Sequence, residues 1–323
     1  KTSGERGLVS VAEPSRTSDS LLILLKTDKE DTTKVIHLYN LCSEYEDVGN
    51  YDTALYYGNA ALQLAQQLNY QKGIASSYNI IGIIYNTQGN YTKALENHFA
   101  SLKKKEETGD QKGIATSYNN IGIIYRNQGN YDNALEKYFV ALQIREETGD
   151  KKGIADSYNN IGNIYAYQGN YNKALENYFA SLKIREEIGN KKGIAYSYNN
   201  IGNIYAYQGN YNRALENYFA GMKIDEEIGD KQGIAVDYNN IGDMYYYQGN
   251  YDKALDNHFA SLKIKEETGD KKGIAGSYNN IGNVYLKQNK IAEAKKQSLR
   301  SLSIAKEIGS KDDIKQAYQT LSL

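Results

Sequence analysis

From Ala115 onward, Tyr118, Ile121, Gly122 and Tyr125 follow the i, i+3, i+4, i+7 spacing of one helix face. Asp110 stands at the N-cap of that helix, where its carboxylate accepts first-turn amides, and Gly129 ends it as a left-handed C′ residue. Asn130 caps a second helix that carries Tyr131, Ala134, Leu135, Tyr138, Ala141 and Leu142 on its buried side and runs on through Arg145-Glu146-Glu147 to Gly149. Asp150 opens the next unit. Short Gly-Asn and Gly-Asp turns make the two helices an antiparallel hairpin, and no segment shows the alternation of a strand.

The whole pattern returns every forty residues. Tyr118-Asn119-Asn120-Ile121-Gly122 recurs from Tyr158, Tyr198, Tyr238 and Tyr278, with a looser copy at Tyr78 and a worn one at Leu38. Tyrosine holds positions 45, 85, 125, 165, 205, 245 and 285, and alanine holds 54, 94, 134, 174, 214, 254 and 294. A fixed period of this size means stacked supersecondary units, each too small to bury its apolar face alone. A mid-helix glycine costs about 1 kcal/mol relative to alanine, so its return at 82, 122, 162, 202, 242 and 282 predicts close helix contact.

Opposite the buried stripe of the first helix, about 180° away, lie Thr116, Asn120, Ile123 and Asn127. Three rows follow from the repeat. Asn40, Asn120, Asn160, Asn200, Asn240 and Asn280 form one; Asn163, Asn203, Asp243 and Asn283 a second; Tyr167, Tyr207 and Tyr247 a third. Asparagine is a mediocre helix former, so its rows ask for a reason. A side-chain amide can hold an extended peptide backbone through its donor and acceptor, with tyrosine adding apolar area and a polar tip; alternatively the amides bond between repeats. Residues 158 to 184 and 198 to 224 are nearly identical, a mark of duplication, so shared letters are not independent signals. The stripe opens with Ser76, Thr116, Asp156, Tyr196, Val236 and Gly276, a spread that either tunes specificity or reflects drifting solvent positions.

Of the 323 residues, 38 are basic and 39 acidic, for a net charge of -1, which carries no basic footprint for nucleic acid. No apolar run approaches the roughly 18 residues of a membrane span, so no membrane contact is expected of this segment. The single cysteine, Cys42, excludes an intrachain disulfide and stands where later repeats have glycine, a small buried filler. No phosphate loop, nucleophile elbow, zinc-binding His-Glu-x-x-His or Cys-x-x-Cys is present, and no cofactor or metal site is expected. His98 and His258 replace the second-helix tyrosine and belong at an inter-helix seam; the Glu-Glu pairs, as at Glu146-Glu147, read as solvated charge.

The pattern resembles the tetratricopeptide repeat (TPR) family: its signature of an aromatic, Leu-Gly, Tyr, Gly, Tyr, Ala, an aromatic and Ala corresponds to Tyr118, Ile121-Gly122, Tyr125, Gly129, Tyr131, Ala134, Tyr138 and Ala141. The copies depart from it in length, forty residues against thirty-four, and in lacking the closing proline. The longer form, with its Gly-Asp-Lys-Lys-Gly-Ile-Ala junction, is similar to repeats of Pins/LGN polarity scaffolds and of bacterial signalling proteins. The resemblance implies an all-α, right-handed α-solenoid, a superhelix of seven full repeats and a partial eighth. Its repeats fall at about 35–74, 75–114, 115–154, 155–194, 195–234, 235–274 and 275–314, with 315–323 partial. Residues 1–17, Ser-, Thr- and Glu-rich with Pro14, are expected as a flexible lead-in, and 18–34 as a capping helix and linker.

In TPR superhelices the stripe opposite the core lines the concave groove. The resemblance therefore makes Asn120, Asn160, Asn200, Asn240, Asn280, Asn163, Asn203, Asp243, Tyr167, Tyr207, Tyr247 and Tyr196 the candidate contacts to a peptide or protein. The order of segments is similar to N-terminal sensor regions of Bacteroidota-type signalling proteins, which implies an extracytoplasmic setting, with a cytoplasmic one as alternative. The chain starts at Lys1 and ends partway through a further first helix, so a longer native polypeptide is expected. The leading expectation is a non-enzymatic interaction module. Its rivals are a self-associating scaffold stacking through open ends, and a regulatory arm of an enzyme whose catalytic domain lies beyond residue 323.

Overall fold

The structure, a computed structural model, describes residues 16–322; the lead-in expected up to residue 17 lies almost entirely outside them. Among the described residues sixteen helices follow one another and no strand occurs. They divide into two compact units, one ending at Ile164 and one beginning at Tyr165. The first contains α1 (Arg16–Leu25), α2 (Thr32–Asp47), α3 (Tyr51–Gln67), α4 (Gln71–Thr87), α5 (Tyr91–Thr108), α6 (Gln111–Asn127), α7 (Tyr131–Glu147) and most of α8 (Lys151–Tyr167). The second contains α9 (Tyr171–Glu187), α10 (Lys191–Tyr207), α11 (Tyr211–Ile228), α12 (Lys231–Tyr247), α13 (Tyr251–Thr268), α14 (Lys271–Lys287), α15 (Ile291–Ile308) and α16 (Lys311–Leu321). None of these helices is long and apolar enough to cross a membrane.

Local chemistry sets each boundary. Asn90, Asn130 and Asn210 accept the backbone N–H three residues on, and Asp110, Asp230 and Asp270 do the same for first helices, which satisfies amides that a helix start leaves open. From α2 to α15 the helices end at glycines in the left-handed region, such as Gly129 at φ 74, except that α3 and α14 use Asn69 at φ 53 and Asn289 at φ 60.

Within each hairpin the crossing is built from small residues. Ala54, Ala94, Ala134, Ala174, Ala214, Ala254 and Ala294 are all fully buried, beside isoleucines such as Ile121, Ile201 and Ile281. Gly122 and Gly202 face the rings of Tyr138 and Tyr218: a methyl group on either would lie 2.6 Å from a ring carbon. That contact accounts for the recurring mid-helix glycine. Cys42, buried, takes the same position in α2 against Gly58, and burial pushes its thiol up to about 12. On α1, Leu21 buries in the cluster of Leu41, Cys42 and Tyr45.

His98 and His258 occupy the tyrosine position and are 1% exposed, packed against Gly82 and Gly242. Burial holds both imidazoles neutral, down to about 4, with the neighbouring lysines Lys105 and Lys265 adding to the effect. A histidine held neutral when folded contributes full stability above its unfolded value near 6.5 and loses it as pH falls toward 4. Replacing His98 by the Tyr that stands at 138 should remove roughly 2–3 kcal/mol of destabilisation between pH 7 and pH 4, read by denaturant unfolding at both pH values. An unchanged pH profile would refute this role.

A second packing rule concerns Ser101 and Ser261, whose hydroxyls donate to the carbonyls of Ala75 and Ala235 at 2.8 and 2.7 Å. In α11 the same position is Gly221, with the Ala195 carbonyl 3.3 Å from where a Cβ would sit. Gly221→Ser restores the bond and removes a mid-helix glycine, and should stabilise by about 1–2 kcal/mol. A fall in the thermal midpoint would show the space is too tight.

Candidate ligand-binding face

Asn120, Asn160, Asn240 and Asn280 are half-buried and bonded between repeats, whereas Asn40 is exposed. Asn120 Nδ2 donates to Asn79 Oδ1 at 3.0 Å and Asn160 to Asn119 at 2.9 Å. In the second unit, Asn240 donates to Asn199 at 3.3 Å and Asn280 to Asn239 at 2.9 Å. The inter-repeat role, one of the two open alternatives, is thus present. It engages one donor hydrogen of each amide; a carboxamide has a second hydrogen and an oxygen with which to meet a peptide.

The next row is more varied. Asn203 Oδ1 accepts from the hydroxyl of buried Tyr218 at 2.7 Å, and Asn283 Oδ1 from Thr320 at 3.2 Å. Asn163 is half-buried. Asp243 accepts from Asn239 at 3.2 Å and stands 3.6 Å from His258 Nε2. Loss of water raises its carboxyl to about 7, against the opposing pull of the Lys265 charge. Tyr167, Tyr207 and Tyr247 are 60–69% exposed and Tyr196 is 51% exposed. Tyr207 and Tyr247 stack on Tyr171 and Tyr211, at ring-centre distances of 6.1 and 5.6 Å, which fixes their rings while leaving one face open.

The second unit gathers several of these residues around cavities. Tyr196, Asn200, Asn203 and Asn240 line one of about 300 Å³. Asp243, Tyr247, Asn280 and Asn283 line another of about 390 Å³. Asn120, Asn160 and Asn163 belong to the first unit and line neither, and Tyr167 and Tyr207 also stand outside both.

One row escaped the sequence reading. The basic residue before each Glu-Glu pair looks solvated in the sequence, yet Lys105, Arg145 and Arg185 are 5–9% exposed. Each donates to a serine in the next first helix, Lys105 to Ser117 at 2.9 Å, Arg145 to Ser157 at 2.7 Å and Arg185 to Ser197 at 2.9 Å, and the half-buried Lys265 donates likewise to Ser277 at 3.0 Å. Arg145 and Arg185 also reach the carbonyls of Gly153 and Gly193, both at 3.0 Å. The available signal was a paired change: position 225 is Asp in the one repeat where the serine becomes Asp237. Among the described residues no group of three or more His, Cys, Asp or Glu is placed to hold a metal ion.

Consecutive antiparallel hairpins, small residues at every crossing and a polar face on the first helices define an α-solenoid of helical repeats. The chain belongs to the tetratricopeptide repeat family, whose model matches residues 35–107, 113–187, 153–227, 193–267 and 233–307. Such repeats generally serve as interaction modules rather than catalysts. In fold the chain is similar to the apo form of the quorum sensor NprR from B. thuringiensis, at 16% identity over 89% of this chain and 80% of that one, with a TM-score of 0.68. It is also similar to PH0952 from Pyrococcus horikoshii, a signal transduction ATPase with a tetratricopeptide repeat sensor, at 18% identity over 97% of this chain and 49% of that one, TM-score 0.65. A Rap protein complexed with Competence and Sporulation Factor matches at 15% identity over 94% and 97%, TM-score 0.57. At these identities the likeness is one of fold. No curated protein matches the chain significantly.

Proposed function

We propose that the chain is a non-catalytic module whose first-helix face in the second unit binds a peptide or extended protein segment, as the sensing or docking part of a longer signalling protein. The observation that carries this reading is the pairing of half-buried amides with exposed tyrosines at two cavities on one set of helices, Tyr196 at the first and the ring-stacked Tyr247 at the second. Amides grip backbone and tyrosines cover apolar side chains, the division of labour an extended ligand requires. On this reading the contact set is the second-unit part of the candidate set: Asn200, Asn203, Asn240, Asp243 and Asn280 with Tyr167, Tyr196, Tyr207 and Tyr247. A similar structure, the Rap protein complexed with Competence and Sporulation Factor, supports ligand capture on this fold.

A randomised peptide library captured on the wild type and on Tyr207→Ala/Tyr247→Ala tests this. Loss of both rings should weaken selected peptides at least tenfold, about 1.4 kcal/mol, with the melting temperature little changed. Equal capture by both proteins would refute it.

A second reading, self-association, draws on apolar residues exposed on terminal helices: Ile23 and Leu24 on α1, and Ile308 and Tyr318 toward the other end. Light scattering over a concentration series decides it; a monomer at high concentration removes it.

A further inference from the structure

We infer that the cavity between α10 and α12 is a specificity subsite for a large apolar side chain of the bound segment, of the leucine or phenylalanine class, clamped between Tyr196 and Val236. The inference rests on the peptide-binding face proposed above. Both residues hold the place that opens the outward stripe, on consecutive first helices. Elsewhere that place is Ile36, Ser76, Thr116, Asp156, Gly276 or Gln316, so this is the one pair of neighbouring repeats with an aromatic or branched aliphatic side chain on both. The two line the cavity of about 300 Å³ and stay 51% and 49% exposed.

Both walls are set before a ligand arrives. The Arg185 guanidinium lies 5.7 Å from the centre of the Tyr196 ring and is itself bonded to Ser197 and to the Gly193 carbonyl, which steadies the ring. Val236 is β-branched and has one strongly preferred rotamer in a helix. A side chain entering between them gives up its own freedom and little of the protein's.

The polar groups around the cavity are already matched to one another. Asn199 accepts from Asn240 at 3.3 Å and donates to Asp237 at 2.7 Å, and Asn203 accepts from the Tyr218 hydroxyl at 2.7 Å. Of the two acids at the edge, Asp230 takes the Lys192 ammonium at 2.7 Å and the Gly233 amide at 3.1 Å. The other, Asp225, shares a hydrogen bond with the buried Asp237. An apolar occupant therefore orphans no buried donor or acceptor, whereas a cation would have to break an existing pair to gain a carboxylate. Asn200 and Asn240 stand beside the cavity, where their amides can meet the backbone on either side of the enclosed side chain.

The probes are capped tripeptides, acetyl-Ala-X-Ala-amide with X leucine, phenylalanine, asparagine or arginine, titrated into the full chain by amide NMR. The leucine and phenylalanine peptides should bind at least about tenfold tighter than the asparagine peptide, whose central side chain is close to leucine in shape. They should shift amides of α10 and α12 and give NOE contacts to the Tyr196 ring. Tyr196→Thr/Val236→Thr, which gives both repeats the residue at Thr116, should cut that preference below about threefold. Val236→Thr alone, the same shape at an exposed position, should lower it as well. Equal affinity for the leucine and asparagine peptides, tighter binding of the arginine peptide than of the leucine peptide, or an undiminished preference in these variants would each overturn the subsite. The peptide library separates this inference from the reading it rests on. Selected peptides that need Tyr207 and Tyr247 yet bind Tyr196→Thr/Val236→Thr unchanged would leave the binding face standing and the subsite refuted. Leucine-peptide binding at Tyr196, with library capture indifferent to Tyr207 and Tyr247, would keep the subsite and refute the wider face.

Discussion

Gly202→Ala should destabilise the α10–α11 hairpin by about 2–3 kcal/mol, although alanine is the better helix former by about 1 kcal/mol. The new methyl would lie 2.6 Å from Cε1 and 2.9 Å from Cδ1 of Tyr218, and that ring is 1% exposed with its hydroxyl bonded to Asn203. Overpacking of a well-filled core costs about 1–3 kcal/mol, and moving the ring also loses a hydrogen bond worth about 1 kcal/mol. Gly282→Ala is the internal control. There the nearest atom is Ser298 Oγ at 3.1 Å, a small group that can turn away, so helix propensity should prevail and stability should hold or rise by about 0.5–1 kcal/mol. In a repeat array such effects stay local, so amide hydrogen exchange resolved to α10–α11 and to α14–α15 is the measurement. Equal effects at the two glycines would contradict the close-contact account.

The second large effect concerns the acid pair. A carboxyl that titrates near 7 when folded and near 3.9 when unfolded binds its proton more tightly in the folded state. Stability from Asp237 is then greatest below about pH 4, declines as pH rises through the window from 4 to 7, and is lowest above it, opposite in sign to a salt-bridged aspartate. Asp225→Arg/Asp237→Ser removes this dependence and installs the bonds seen at Arg145 and Arg185. At pH 8 the variant should exceed the wild type by roughly 2–4 kcal/mol, with the gap narrowing toward pH 4. Denaturant unfolding at pH 4, 6 and 8 reads it. A gap that is constant with pH would mean that Asp237 is ionised throughout.

The fold was legible because every structural constraint repeats. Ala134, Gly122 and Gly129 recur at forty-residue spacing for reasons of contact distance and backbone angle that a single copy already displays. The Asn rows were also legible as a surface, since helical phase alone places Asn160 and Asn200 opposite the Tyr-Gly stripe. Their bonding was legible only as one of two alternatives, because Asn120 meets Asn79 from the preceding repeat, and the register between repeats depends on packing. Arg145 was misleading for a related reason. Next to Glu146 and Glu147 it reads as solvated, and only the arrival of α8 buries its guanidinium over Ser157. The gathering of Tyr196 and Asn200 of α10 with Asn240 of α12 around one cavity likewise needs the helices of two repeats in place.

The face that binds is the central claim, and site-specific photo-crosslinking tests it most directly. A benzophenone amino acid would replace Tyr207 on the first-helix face in one protein and Phe219, 43% exposed on a second helix, in another. Each would be irradiated with the best peptide selected by the wild type. The account expects crosslinked peptide from position 207 and none from 219. Crosslinking from 219 with none from 207 would place the ligand on the other face and contradict it.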